Sequence, residues 1–524
     1  MKLRTIVKIA ITSSVVLLCS GFALYSFFRL SAAEGQKDFN LYELVPSTTS
    51  AVFVTDDVLE FVAEVDELTC SKNQQYLYVS KLFSYLKQSL YALSEDTPHG
   101  LSRQMNQMLI SFHEPDNERN QVLYCRLGNG DKELVNRFVR KYISSLYPPK
   151  TFIYKGEEII IYPMADGDFL ACYLTSDFMA LSFQKKLIEN VIDAYKSGKS
   201  LADDSTFTGI RAPKKSAAAA TIYTRMQGMM GWTEFDMKMK DDFIYFSGIT
   251  HDADTCFAFI NQLRQQQSVK GFPGEVLPST AFYFSRQGIT DWVSLLSYGN
   301  AQGQSVPART SEVQNRDKEF SRYLMENAGQ DLVACLFQRE DTLQDAAAVL
   351  SLSVADVTEA ERMLRALVNA APADEGRRNP RITFCYTVNK AYPIYRLPQT
   401  TLFEQLTSFA EPTLDVYAAF YGGRLLLAPD ADALAHYIRP LDKGEVLNGA
   451  MAYQTGMDHL SDSYHFMLMA DFDHIFQQSE NHVRFVPDFF LRNADFFRHF
   501  TLFVQFACAD GVVYPNIVLK YKSE

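Results

Sequence analysis

A chain of 524 residues that is 47% hydrophobic and 21% charged has the balance of a folded, multidomain protein, which excludes disordered, collagen-like and multi-span membrane classes. Its 50 Lys and Arg against 62 Asp and Glu leave a net charge of −12. It lacks the clustered basic surface by which nucleic-acid binders displace phosphate counterions, so no nucleic acid is expected as a partner.

The first predicted element is Ile9–Phe28, a run without a single charge. At about 1.5 Å per helical residue, about twenty residues span the roughly 30 Å of a bilayer's hydrocarbon core. Cleaved signal peptides carry a shorter apolar run, roughly 7–15 residues, so the length favours a retained anchor over cleavage near Ser31-Ala32-Ala33. Leu17 and Leu18 directly before Cys19 argue against a lipid-modified cysteine. Lys2, Arg4 and Lys8 precede the run, whereas Arg29 and Lys37 follow it, which leaves the short N-terminus cytoplasmic. The expectation is a single-pass protein of the inner (cytoplasmic) membrane, in contact with the bilayer through residues 9–28, with its C-terminal body on the periplasmic side. No acidic residue precedes Leu30, so that body is more acidic than the whole chain and is repelled by anionic headgroups.

The remainder reads as one unit used twice. Glu43-Leu44-Val45-Pro46-Ser47-Thr48 before Ala51–Thr55 matches Glu275-Val276-Leu277-Pro278-Ser279-Thr280 before Ala281–Ser285. Helix candidates follow at Asp57–Val65 and Asp291–Leu296, where Asp56 and Thr290 are placed as N-caps. Met108–Phe112 and Leu332–Phe337 are similar apolar runs. Each precedes a second strand, Gln121–Leu127 or Ala347–Val354, and a helix, Asp131–Ser145 or Thr358–Ala370. Thr151–Tyr154 then recurs as Thr383–Tyr386, and Phe169–Tyr173 with Phe178–Leu181 as Val416–Phe420 with Leu425–Ala428, the latter at an offset of 247. Helices are expected at Gln184–Lys196 and Ala431–Ile438. Last come hairpins turning at Lys240-Asp241-Asp242 and Ala509-Asp510-Gly511, the Asp-Gly pair being a strong two-residue hairpin signal. The predicted fold class is α+β: two tandem repeats, each an antiparallel sheet with packed helices, after one N-terminal transmembrane helix. The predicted divisions are 1–40 for the cytoplasmic tip, anchor and stalk, 41–270 for the first repeat and 271–524 for the second. The Gly- and Pro-containing stretch Gln265–Pro278 marks the boundary, and the cleft between two repeats so closely joined is the default binding site.

The entrance segments Glu43–Thr55 and Glu275–Ser285, with the single anchor and duplicated body, resemble an uncharacterised bacterial cell-envelope family, a membrane-tethered domain of unknown function. The resemblance implies an envelope location and no particular activity, and carries over no site residue.

Chemistry-bearing motifs fail on inspection. Cys125, Cys172, Cys335, Cys385 and Cys508 sit in apolar strand-like runs, where a thiol acts as a small buried hydrophobe. Cys70 and Cys256 are the pair expected to be exposed. Of the nine histidines, His459, His465, His474, His482 and His499 crowd the C-terminal region, but their spacing matches no helix-face or turn pattern of metal ligands. Asp471-Phe472-Asp473-His474 reads better as a solvated strand end than as a zinc or calcium site. Ser197-Gly198-Lys199-Ser200 ends like a phosphate-binding loop, yet Asp193 stands where that loop needs glycine, and Gly198 suits a helix C-cap. Ser182-Phe183-Gln184-Lys185 fits S-x-x-K without its companion motifs. No cofactor, no metal and no catalytic residue is assigned.

Two segments are longer in the second repeat, Leu397–Asp415 and Asp471–His499. The latter carries Phe485, Phe489, Phe490, Phe496 and Phe497, and Trp232 occupies the corresponding place in the first repeat. Such rings can anchor a partner because they bury much area while freezing few torsions. The alternative is that they fold back onto the sheet as a satellite core. The function expected is a membrane-anchored binding or interaction protein of the envelope. It would take an envelope protein or an apolar ligand at the inter-repeat cleft and these rings. The competing readings are an envelope hydrolase around Asp471, Asp473 and His474, supported by His459 or His465, and a structural spacer.

Overall fold

The computed structural model describes residues 39–522 apart from the intervals 74–104, 114–118, 129–130, 139–146, 165–166, 212–217, 226–231, 251–257, 294, 297–310, 340–345, 371–380, 389, 398–399, 408–414 and 479–485. The predicted anchor 9–28 lies outside the described residues. Among those described, no helix is long and apolar enough to cross a membrane.

Strands dominate. In the first half they are β1 (Ala51–Thr55), β2 (Met108–Phe112), β3 (Gln121–Arg126), β4 (Lys150–Tyr154), β5 (Glu157–Pro163), β6 (Phe169–Leu174), β7 (Phe178–Ser182), β8 (Ala220–Thr224), β9 (Thr233–Lys240) and β10 (Phe243–Thr250), followed by the short β11 (Val269–Lys270). In the second half they are β12 (Ala281–Gly288), β13 (Ala328–Gln338), β14 (Ala346–Val354), β15 (Ile382–Tyr386), β16 (Ala391–Leu397), β17 (Val416–Tyr421), β18 (Arg424–Ala428), β19 (Ser463–Tyr464), β20 (Phe466–Asp471), β21 (Phe500–Ala509) and β22 (Val512–Tyr521). Apart from the β11–β19 pair, all belong to one 20-stranded sheet.

This corrects the expectation of two separate sheets behind a transmembrane helix. The first half runs β4-β5-β6-β7-β3-β2-β1-β8-β9-β10, every neighbour antiparallel. The second runs β22-β21-β20-β12-β13-β14-β18-β17-β16-β15 in the same manner. The two are fused by β10 against β22, from Phe243↔Lys520 to Thr250↔Val513. The spatial order therefore reads the same from either end, and the expected inter-repeat cleft is replaced at this point by a hydrogen-bonded ladder. Local pattern could not reveal this, because a strand's sequence does not say whether its second edge is covered or paired.

The sheet is apolar on both faces. One face carries a single layer spanning both halves, from Phe53 and Phe61 through Leu350 and Leu364 to Phe500 and Tyr521. The opposite face is divided. The first-half cluster lies under the turn Leu41–Leu44 and the helices Lys185–Ser197 and Ser205–Ile210. The second-half cluster lies under Ala431–Asp442 and Met451–Met457. Lys185–Ser197 buries Leu187, Ile188, Val191 and Ile192, the paired i, i+1, i+4, i+5 positions of an amphipathic helix, and stops at Gly198 with φ 62°, a C-cap conformation that glycine adopts without steric cost. Asp510 and Gly511 both take positive φ (51° and 78°), the hairpin geometry expected of Asp-Gly.

Side-chain alternation shifts one alignment. Ala171 belongs to the divided face and Ala418 to the shared layer, so the offset of 247 pairs residues on opposite faces. The helix caps Gln184 and Asp430 restore the match with one residue fewer, since a one-residue slip in a strand inverts every side chain.

Cys125, Cys172, Cys335 and Cys385 are buried free thiols, as is Cys70, contrary to its expected exposure. Cys508 is half-buried, and Cys256 lies outside the described residues.

Candidate functional site

A cavity of about 330 Å3 opens beside the start of the insertion that follows β20. Asp471, the last residue of β20, caps the short helix Phe472–Phe476 by accepting from the Asp473 and His474 backbone N–H groups. That turn brings the His474 ring back over its own cap, with Nδ1 3.3 Å from Asp471 Oδ2. Lys522 Nζ donates to Asp471 Oδ1 from just past β22. Ser279, Thr280, Thr501 and Tyr453 line the same cavity, and Phe282, Leu447, Ala450, Met469 and Phe503 supply its apolar wall. The His474 ring lies nearly parallel to Phe282, centroids 6.0 Å apart. The helix Met451–Met457 forms one side and sits hard on the sheet: a Cβ at Gly456 would come within 2.2 Å of the Phe503 ring.

Neighbouring charges shift the pKa values of this pair. Burial alone would raise the Asp471 pKa, but His474 and Lys522 together hold it below the ordinary carboxylate value. Asp471 in turn raises His474 above its ordinary 6.5, against the opposing effect of burial. The shift favours the protonated imidazole, a donor to a polar or anionic group. Among the described residues no hydroxyl is hydrogen-bonded to the His474 ring, the arrangement that activates a serine or threonine nucleophile.

A pH test follows. Because the folded pKa of His474 is raised, the stability this pair contributes is complete below about pH 6.5 and is lost as the pH rises through the folded value. NMR of 13C-labelled histidine is expected to show His474 titrating above 6.5, with its midpoint falling in Asp471→Asn. An unmoved midpoint would show that Asp471 is not the cause.

The other residues singled out by sequence lie elsewhere. His459 packs on Phe243 with centroids 4.3 Å apart, and His465 Nδ1 accepts the Cys508 backbone N–H. Neither they nor Asp473 line the cavity, so the acid–base set proposed for a hydrolase is not assembled. Among the described residues no group of three metal-ligating side chains converges. Phe497 is 7% exposed and Trp232 1%. Phe490 stacks on Phe472 at 4.9 Å and meets Phe497 edge-on, while Phe496 packs on Phe500 at 4.8 Å. Trp232 lies edge-on to Phe207, beneath the Arg225 guanidinium. Phe490, Phe496 and Phe497 thus pack in or against the shared layer, and Trp232 in the first-half cluster on the opposite face. Phe485 and the Phe489 side chain lie outside the described residues. In the other insertion, Thr400 and Thr401 donate hydroxyls at 2.7 Å to the buried Asp317 carboxylate, tying that segment to the helix Ser311–Asn327.

A second cavity, of about 230 Å3, opens in the first half beside Arg126, Arg211, Asp56 and the Tyr42 and Tyr223 rings. The Arg211 guanidinium lies 4.0 Å over the Tyr42 ring. Burial pushes the Tyr223 hydroxyl up to about 12 despite Arg211, so it remains a donor at neutral pH.

Sequence reading reached Asp471 and His474 but missed Ser279, Thr280, Tyr453 and Thr501, which come from distant segments and carry no local signature. No known protein family matches the chain, and no curated protein or solved structure shows significant similarity to it.

Proposed function

We propose that the chain is a binding protein of the cell envelope, held at the inner membrane by the apolar stretch 9–28. In this reading it receives an apolar group bearing a hydrogen-bond acceptor in the cavity at Asp471 and His474. The observation that carries the reading is the cavity's division into two parts: an apolar wall of Phe282, Met469 and Phe503 and, at one end, a histidine whose pKa a neighbouring carboxylate raises. Pockets of this size with a few convergent polar groups are the usual form of a ligand site. The cell-envelope resemblance of the entrance segments supports the same location.

The test uses the full chain in its own membrane, with a photo-crosslinking amino acid in place of Ala452 in the cavity wall. Light-dependent capture is expected, and is expected to fall at least tenfold when Met469→Trp fills the space. The mass of the adduct distinguishes a free ligand from a partner protein. Equal capture from position 240 on the exposed hairpin, or capture indifferent to Met469→Trp, would overturn the assignment.

A further inference from the structure

Leu41-Tyr42-Glu43-Leu44 enters the first half as a single helical turn whose first N–H groups are capped by Asn40. The turn delivers Tyr42 to the divided face of the sheet, where β8 brings Tyr223. Both rings pack on Phe207, with centroids 5.2 and 5.1 Å away. Both residues are more than nine-tenths buried, at 7% and 5% exposed, and both line the first-half cavity of about 230 Å3. A phenol hydroxyl withdrawn this far from bulk water ordinarily has a hydrogen-bond partner. Among the described residues neither of these hydroxyls has one. Burial pushes Tyr223 up to about 12 and, with Tyr223 adding to it, raises Tyr42 as well, so both are protonated donors at neutral pH.

The same cavity takes two guanidinium groups, Arg126 from the end of β3 and Arg211 from just past the helix Ser205–Ile210. Although the chain carries a net charge of −12, the Arg211 side chain makes no ion pair and no hydrogen bond among the described residues. It is held 4.0 Å over the Tyr42 ring, a contact that leaves its N–H donors unspent. The one carboxylate on the cavity wall, Asp56, accepts from the Gln107 side-chain amide. Three donor side chains with nothing to donate to, Tyr42, Tyr223 and Arg211, therefore share one space with the Arg126 charge. What the cavity lacks is an acceptor that carries negative charge. At about 230 Å3 it has room for several water-sized volumes of roughly 30 Å3, more than a bare inorganic ion fills, and Val54 and Leu109 give it an apolar side.

We propose that the first-half cavity binds a small organic anion, whose carboxylate or phosphate oxygens accept from the Tyr42 and Tyr223 hydroxyls and from Arg211, and whose apolar part lies against Val54 and Leu109. Hydrogen bonds from a guanidinium to an oxyanion are of the strong, charge-assisted kind. This site is separate from the cavity at Asp471 and His474 and independent of what that one holds.

The experiment is equilibrium dialysis of the full chain, in a nonionic detergent at fixed salt, against radiolabelled benzoate and radiolabelled phenyl phosphate. The two probes share an apolar ring and differ in the oxyanion, so the one retained tells a carboxylic acid from a phosphate ester. Saturable binding of at least one probe is expected. Its dissociation constant is expected to rise about tenfold or more in Arg211→Gln and in Tyr223→Phe, the loss of one hydrogen bond to a charged group. Tyr223→Phe keeps the ring on Phe207 and removes only the hydroxyl. Lys443→Gln, an exposed change in the second half, is expected to bind like the unaltered chain. Absence of saturable binding of both probes, an affinity unmoved in Arg211→Gln or in Tyr223→Phe, or an equal loss in Lys443→Gln would each overturn the proposal.

Discussion

Asp331→Asn is expected to lower the chain's stability by about 3–5 kcal/mol, the cost of stripping one partner from a buried ion pair and leaving the opposite charge uncompensated. Asp331, at the start of the regular pairing of β13 with β12, is 8% exposed and bridges Arg286 of the neighbouring β12 and Arg424 of β18, which lies beyond β14. Arg286 Nε lies 3.1 Å away and Arg424 Nη2 3.2 Å away, and these two side chains are themselves only 16% and 12% exposed. Both guanidiniums are otherwise held in place. Arg286 donates to the Gly271 carbonyl and the Tyr464 hydroxyl, and Arg424 donates to the Ser351 hydroxyl and carbonyl. They cannot swing to water when the carboxylate goes. Burial opposes ionisation of Asp331, but Arg424, then the Ser353 hydroxyl and Arg286, hold its pKa below the ordinary 3.8. A carboxylate depressed in the folded state contributes stability that is present above its unfolded value and is lost as the pH falls through the folded one. The unaltered chain should therefore lose this contribution below about pH 4, and Asp331→Asn should lack that part of its acid sensitivity. Urea unfolding of the full chain at pH 7 and pH 4 measures both. A loss under about 1 kcal/mol at pH 7 would mean that the arginines find other partners.

Phe497→Ala is expected to cost about 3–5 kcal/mol, the usual range for removing a large aromatic side chain from a core. The ring is 7% exposed and touches Phe472, Phe490, Phe496 and Phe500. If the insertion rings were a partner-binding surface, the same substitution would abolish capture and leave the unfolding midpoint nearly unmoved. The fold predicts the reverse order of effects: stability falls first, and the His474 cavity loosens because the helix Phe472–Phe476 rests on this cluster. Urea unfolding of the full chain, paired with crosslinking at position 452, separates the two. An unchanged midpoint would contradict the packing described above.

Much of the strand pattern was legible in the residues. Val-Leu-Tyr-Cys at 122–125 and Leu-Leu-Leu-Ala at 425–428 are uninterrupted apolar runs because helices cover both faces of their strands, and such runs identify buried strands without revealing which side each residue faces. That gap explains the misregistered alignment of Ala171 with Ala418. Cys70, outside the apolar strand-like runs and expected to be exposed, is turned into the shared layer by the short helix Thr69–Lys72. The phenylalanines after Asp471 were visible as a cluster, but composition is the same for a docking surface and for a core, and only their mutual stacking decides between them. The Asp471–His474 pair was visible as a local spacing, whereas its hydroxyl companions were not, since Ser279 and Thr501 meet only after β12 and β21 have both paired with β20.

The amino-acid sequence alone determines where this chain forms strands and turns, that two stretches of it follow similar patterns, and that residues 9–28 are apolar enough for a bilayer, because these follow from side-chain periodicity and charge within a short window. Only the tertiary structure decides that the halves share one sheet, that β4 and β15 are its end strands among the described residues, and that Asp471, His474 and Thr501 line one cavity. Each of those depends on which strand edges meet, and an edge presents the same backbone N–H and C=O groups whatever its sequence.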